Sequence, residues 1–220
     1  RLCRDWSSDV CSSDLAPRTL LAHAGLGTHL HLVDGWDGRR EAVVAKRELT
    51  ERDGIEPYII PMGGTCPLGA VGYVNAALEV AQDAAEPMPD VVYVAAGTLG
   101  TAVGLAIGFA CAARATGAPS VRVEAVRVTP LEICNDSIAE NLTAETIALL
   151  RAHDSSFPDI GYSELDLALR HEFFDPGYGV VTDETRQAVE VAATAGLQLE
   201  TTYTGKAFSA MMRDGEAGVL

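Results

Sequence analysis

The chain predicts an α/β fold: an open, mainly parallel twisted sheet with helices on both faces. Three observations predict it. Short apolar runs alternate with helical periods from Leu20 onward. A glycine–threonine turn joins one of those runs directly to a helical segment. Apolar residues make up 48% and charged residues 21%, which describes a globular chain. Strand followed by helix, repeated, is the signature of parallel sheets with crossover helices.

The elements follow in order. His29 to Val33 reads as a short strand, and Arg40 to Asp53 as a charged amphipathic helix stopped by Gly54. Pro57 to Pro61 (PYIIP) reads as a buried strand. Leu68 to Ala85 is an alanine-rich helix with Leu68, Val71, Val74, Leu78 and Val80 as its apolar members. Asp90 to Ala95 is a second buried strand, Gly100 to Thr116 a helix, and Val121 to Val128 a third strand. Asn135 or Asp136 can cap a helix that carries Ile138, Leu142, Ile147 and Leu150. Thr182 can cap the next helix, with Asp183 and Glu184 at its positive end.

Val91 to Ala113 is uncharged and long enough to span a bilayer. Gly97, Thr98, Gly100 and Thr101 interrupt it after six strand-like residues. Gly100, Gly104 and Gly108 then form an i, i+4 row that permits close backbone contact. A buried strand, a tight turn and a buried helix therefore explain the run better than a membrane span.

Composition narrows the function. The 220 residues carry a net charge of −15 and no basic run, which disfavours a nucleic-acid surface. Only Lys46 and Lys206 are lysines, so any lysine chemistry has two candidates. Cys3, Cys11, Cys66, Cys111 and Cys134 are odd in number and form no C-x-x-C, so a reducing cytoplasm is the expected compartment. The histidines are scattered. His29 and His31 could share a strand face but lack a third ligand, so no metal is expected. Residues 1–15 repeat Ser-Ser-Asp and resemble a translated sequencing adapter, so residues 16–220 carry the fold reasoning. Ala217 to Leu220 reads as a strand just beginning, which suggests a fragment.

The segment Gly97-Thr98-Leu99-Gly100-Thr101 lies where open α/β sheets bind ligands, at a strand's carboxyl end and a helix's start. Unpaired amides and the helix dipole there favour an anion. A plain strand-to-helix turn using glycine only for shape would look the same. The order G-x-x-G-x-x-x-G is not the dinucleotide fingerprint. Gly205-Lys206 is followed by Ala207, and Glu200 stands where a P-loop begins with glycine, so that motif is excluded too. A sugar-phosphate enzyme would want an acid at the next strand's end, and Glu124 sits mid-strand. A non-catalytic module that binds a phosphorylated small molecule stays open.

Four segments, in order, resemble one family: IIPMGGTCPLGAVGYVNAALEV (59–80), the turn at 97–101, GYGVVTDET (177–185) and TTYTGKAF (201–208). They are similar to the pyridoxal-phosphate enzymes that include D-cysteine desulfhydrase and 1-aminocyclopropane-1-carboxylate deaminase, of tryptophan-synthase β-like fold (fold type II). The resemblance implies pyridoxal 5′-phosphate as cofactor, a small amino acid as substrate, β-elimination with deamination as the reaction, and a homodimer. It implies that Gly97, Thr98, Leu99, Gly100 and Thr101 cradle the cofactor phosphate. Leu99 replaces the commoner glycine and is compatible if its side chain points away. Tyr178 and Tyr203 match tyrosines facing the substrate, and Thr204 matches the residue beside the pyridine nitrogen. A neutral threonine there draws off less charge than a carboxylate would, which suits a good leaving group on the β-carbon. The family's Schiff-base lysine has no counterpart in Lys46, which sits in a charged helix, or in Lys206, which reads as structural. The chain by itself is therefore expected to be inactive.

Overall fold

The computed structural model describes residues 15–28, 39–83, 87–174 and 176–220. The chain divides into two compact units, Arg1–Pro61 and Met62–Leu220.

In the first unit, α1 spans Leu15–Gly25 and α2 spans Arg39–Asp53. Lys46, on α2, forms an ion pair with Glu56 at 2.7 Å. The strand expected at His29 to Val33 lies outside the described residues. The buried strand expected at Pro57 to Pro61 is a correction. The segment has no ladder partner among the described residues, and Tyr58 and Ile60 are exposed. Apolar, β-prone side chains signal a wish to be covered. They do not by themselves supply an edge to pair with.

The second unit is built on three parallel strands: β1 (Val91–Ala96), β2 (Arg122–Arg127) and β3 (Leu167–Arg170), in that spatial order. Its helices are α3 (Pro67–Gln82), α4 (Gly100–Thr116), α5 (Asp136–His153), α6 (Asp183–Thr194) and α7 (Thr204–Glu216). Strand alternation sorts the two faces. Val92, Val94, Ala96, Val123, Ala125, Leu167 and Leu169 pack in one cluster with α4 and α5. Tyr93, Ala95 and Val126 pack in a second cluster with Ala207 and Ala210 of α7. Helices therefore cover both faces, as expected.

The uncharged run resolves into β1, a turn and α4. The buried residues of α4 ring most of its circumference, from Ala102 and Val103 through Ile107 and Phe109, because the sheet covers one side and α3 the other. The glycine row sets the second contact. A Cβ on Gly104 would lie 2.5 Å from the Ala70 carbonyl oxygen, and one on Gly108 would lie 2.4 Å from that of Val74. Backbone thus meets backbone along this seam. The buried face of α3 is accordingly Ala70, Val74 and Ala77, while Leu68 and Val80 are exposed. Among the described residues, no helix is long and apolar enough to cross a membrane.

The caps fall where the sequence put them. The Asn135 side chain accepts from the Ile138 amide at 3.0 Å, and Thr182 accepts from the Thr185 amide at 3.1 Å. At the far end of α4, Gly117 takes φ 73°, and its N–H donates to the Ala113 carbonyl.

Candidate functional site

After Ala96 the chain passes through Gly97, Thr98 and Leu99 into α4. Leu99 is the N-cap at φ 71°, ψ −10°, the one non-glycine residue with positive φ among those described. A left-handed leucine costs about 1–2 kcal/mol. Its side chain is 2% exposed and belongs to the main core cluster. The leucine side chain is thus held in the core and anchors the turn. No side chain caps this helix, and the amides of Gly100, Thr101 and Ala102 find no acceptor among the described residues. Gly100 and Ala102 are buried, and a buried helix start calls for an acceptor for its free amides, from water or a ligand.

Leu99→Gly separates the two roles of this residue. It relieves the backbone strain but removes a buried side chain, worth about 3–5 kcal/mol in comparable sites. The net expected effect is a loss of about 2 kcal/mol, read as a lower urea midpoint. An unchanged or raised midpoint would show that the strain outweighs the anchoring.

The turn is braced from both sides. Thr129, just past β2, donates its hydroxyl to the Gly97 carbonyl at 2.7 Å. Thr65 Oγ1 lies 2.6 Å from Thr98 Oγ1. A Cβ on Gly63 would come within 2.3 Å of Thr98 Oγ1, and one on Gly100 within 2.7 Å of Thr65 Oγ1. The Met62–Gly64 turn therefore presses against the 97–101 turn because neither glycine has a side chain. Helix α3 begins at the same corner, its N-cap Cys66 accepting from the Gly69 amide at 3.4 Å. Two helix starts and a ring of hydroxyls make an electropositive corner without a basic side chain. Sequence reasoning quoted the segment containing Gly63 and Thr65 but gave it no role here. Its proximity to Thr98 is non-local, and its paired glycines were the only local signal.

The second group of expected residues lies around the start of α7. Tyr178 and Tyr203 share a short hydroxyl–hydroxyl bond, with their rings edge-on at 6.2 Å. Burial, then the bond to Tyr203, raises the Tyr178 pKa above that of an ordinary phenol, so its hydroxyl keeps its proton at neutral pH. Thr204 is the first residue of α7. Glu200, which sequence reasoning considered only as a missing P-loop glycine, organises this start. Its carboxylate accepts from the amides of Thr202 (2.6 Å), Tyr203 (2.9 Å) and Thr204 (2.6 Å) and lies 3.0 Å from Thr204 Oγ1. An acid four residues ahead of a helix start was the available signal. Lys206 is 1% exposed, and its Nζ donates to the Gly177 carbonyl at 3.3 Å, tying α7 to the loop that carries Tyr178.

Both groups face one edge of the sheet. Tyr93, mid-β1, donates to Asp214 near the end of α7, while Ala95 and Val126 pack with Ala207 and Ala210. Helix α7 thus runs antiparallel to the strands. From Asp214 back to Thr204 is about 15 Å of helix. From Tyr93 to Ala96, where β1 ends, is about 10 Å of strand. The start of α7 therefore lies at the carboxyl end of β1, the end from which the glycine turn leaves.

Residues 10–220 match the family described as "Pyridoxal-phosphate dependent enzyme". The D-cysteine desulfhydrases of Salmonella paratyphi C (strain RKS4594) and Salmonella choleraesuis (strain SC-B67) are each 37% identical over 164 residues, 74% of this chain and 46% of theirs. A solved structure described as an ACC deaminase homologue matches with a TM-score of 0.73 at 28% identity, covering 90% of this chain and 57% of that one. The chain spans about half the length of the curated relatives it matches.

Proposed function

Because the chain belongs to the family of pyridoxal-phosphate-dependent enzymes, we propose that its glycine turn holds the phosphate of pyridoxal 5′-phosphate in a lyase of D-cysteine desulfhydrase type. The observation that carries this is the buried, uncapped start of α4, whose amides have no acceptor among the described residues. The amides of Gly100, Thr101 and Ala102 bind the phosphate oxygens, and the hydroxyls of Thr98 and Thr101 add donors. Leu99 and Thr129 hold the turn in register. When bound, the cofactor supplies a pyridine ring that takes up charge from the substrate's α-carbon.

Thr204 Oγ1 would be the group that meets the ring nitrogen of the bound cofactor. Tyr178 and Tyr203 line the substrate side, where their paired hydroxyls hold a proton within reach of a small amino acid. β-Elimination from a substrate such as D-cysteine is favoured by the 37% identity to the desulfhydrases. The ACC deaminase homologue keeps ring-opening deamination as a second reading. The described cysteines, Cys66, Cys111 and Cys134, are free, in keeping with a cytoplasmic setting. A homodimer is part of the same proposal.

Both lysines have partners of their own. Lys46 is paired with Glu56, and the Lys206 amino group sits on the Gly177 carbonyl. The chain is therefore expected to bind pyridoxal 5′-phosphate non-covalently. Phosphorus NMR should show the phosphate signal shifted on binding, with the effect weakened in Gly100→Ala. Borohydride treatment should leave no adduct on either lysine, and sulfide release from D-cysteine should stay at the level of free cofactor. A reduced adduct mapped to Lys206 would overturn the structural reading of that residue, and an unshifted phosphate signal would overturn the site.

A further inference from the structure

Thr204 has an unusually determined hydroxyl. Its Oγ1 accepts from the Glu200 amide at 3.0 Å. The same oxygen lies 3.0 Å from Glu200 Oε1 and 3.3 Å from the Glu200 carbonyl oxygen. That carbonyl already receives the Gly205 amide at 2.7 Å. Both oxygens can only accept, and Oε1 is the nearer and the charged one, so the single Thr204 proton is given to Glu200, chiefly at Oε1. Of the two lone pairs on Oγ1, one is taken by the Glu200 amide and one remains. Thr204 is exposed, so that lone pair is available to a ligand. The hydroxyl is thereby locked as an acceptor, with a negative charge directly behind it.

We infer that Glu200 is a positioning residue that works through Thr204: it orients the threonine lone pair toward the cofactor's ring nitrogen and raises that nitrogen's affinity for a proton. This rests on the placement of Thr204 proposed above. A freely rotating hydroxyl could equally donate to an unprotonated ring. The Glu200–Thr204 couple cannot, because its proton is committed. A ring nitrogen that carries a proton is the one partner that satisfies the remaining lone pair. Chained hydrogen bonds polarise one another, so the acceptor is stronger than threonine alone and weaker than a carboxylate in direct contact. The chain's electron sink is then set by a pair of residues rather than by Thr204 by itself.

Nitrogen NMR of ring-15N pyridoxal 5′-phosphate bound to the chain tests this, with the phosphorus signal recorded on the same samples. In Glu200→Gln the ring-nitrogen signal should move toward the position of an unprotonated pyridine, while the phosphorus signal stays at its bound position. In Thr204→Val it should move the same way, and adding Glu200→Gln to Thr204→Val should produce no further change. Thr204→Ser should restore the original signal.

A purely structural role for Glu200 would lower the melting temperature and leave the ring nitrogen where it was, which overturns the inference alone. An undiminished Glu200→Gln effect in the Thr204→Val background would also overturn it, since Glu200 would then not act through the hydroxyl. If the phosphorus signal never shifts with the unmodified chain, the cofactor reading itself fails and the inference falls with it. Should Glu200→Gln fail to fold, Thr204→Val and Thr204→Ser decide: no difference between them in ring-nitrogen position overturns the inference.

Discussion

Gly108→Ala is expected to destabilise the chain by about 3 kcal/mol, even though alanine is the better helix former by about 1 kcal/mol. The new methyl carbon would sit 2.4 Å from the Val74 carbonyl oxygen and 2.6 Å from the Ala77 Cβ. The obstructing atoms are backbone and the root of a side chain, so no rotamer change relieves the clash. Helices α3 and α4 must move apart, which loosens Ala70, Val74 and Ala77 at once. Gly215→Ala is the matched control. It is also helical, and its Cβ would meet only Leu220 Cδ1 at 3.9 Å, an ordinary contact. Urea titrations should therefore move the two midpoints in opposite directions. Equal midpoints for the two variants would refute the backbone-on-backbone seam.

Asp214→Asn is the second large effect, a loss of about 3 kcal/mol at neutral pH. Asp214 receives the Tyr93 hydroxyl at 2.6 Å and both terminal nitrogens of Arg170, at 2.7 and 3.1 Å. Arg170 also faces Glu124 at 3.4 Å and Glu172 at 2.7 Å. The Arg170 bonds, with help from Tyr93 and against the burial penalty, hold the Asp214 carboxyl below its ordinary value. The sign of the pH dependence follows. A depressed carboxyl contributes stability that is present above its unfolded value, about 3.9. That contribution is lost as pH falls through the lower folded value.

The gap between wild type and Asp214→Asn should therefore be full at pH 7 and close below about pH 4. Tyr93 behaves oppositely. Burial, then Asp214, pushes its pKa up to about 12. Its contribution is present below an ordinary tyrosine's value, about 10, and is lost as pH rises through about 12. A wild-type-to-mutant gap that persists unchanged into strong acid would contradict the assignment to Asp214.

The sequence was most legible where one element's own pattern decided the outcome. The Asn135 and Thr182 caps, the ends of α4 and the glycine row all depend on residues within a turn or two of each other. The 97–101 turn was legible for the same reason. PYIIP failed because an apolar run reports a need for cover and says nothing about an available edge. Thr65 and Gly63 were missed as parts of the turn because 33 residues separate Thr65 from Thr98. Glu124 was rejected as a ribose-binding acid on its mid-strand position, and it is in fact buried against Arg122 and Arg170. Glu200 was missed because only the folded start of α7 brings its carboxylate back onto three successive amides.

The antiparallel course of α7 has a consequence for synthesis on the ribosome. The three strands emerge by residue 170, with Glu124 and Glu172 already at hand for Arg170, but its two-bond partner Asp214 lies 44 residues further on. Until that stretch has cleared the exit tunnel, the face of the sheet that carries Tyr93, Ala95 and Val126 lacks its α7 cover. The nascent chain then carries an apolar flank that is prone to wrong contacts, and docking of α7 is the step that closes it.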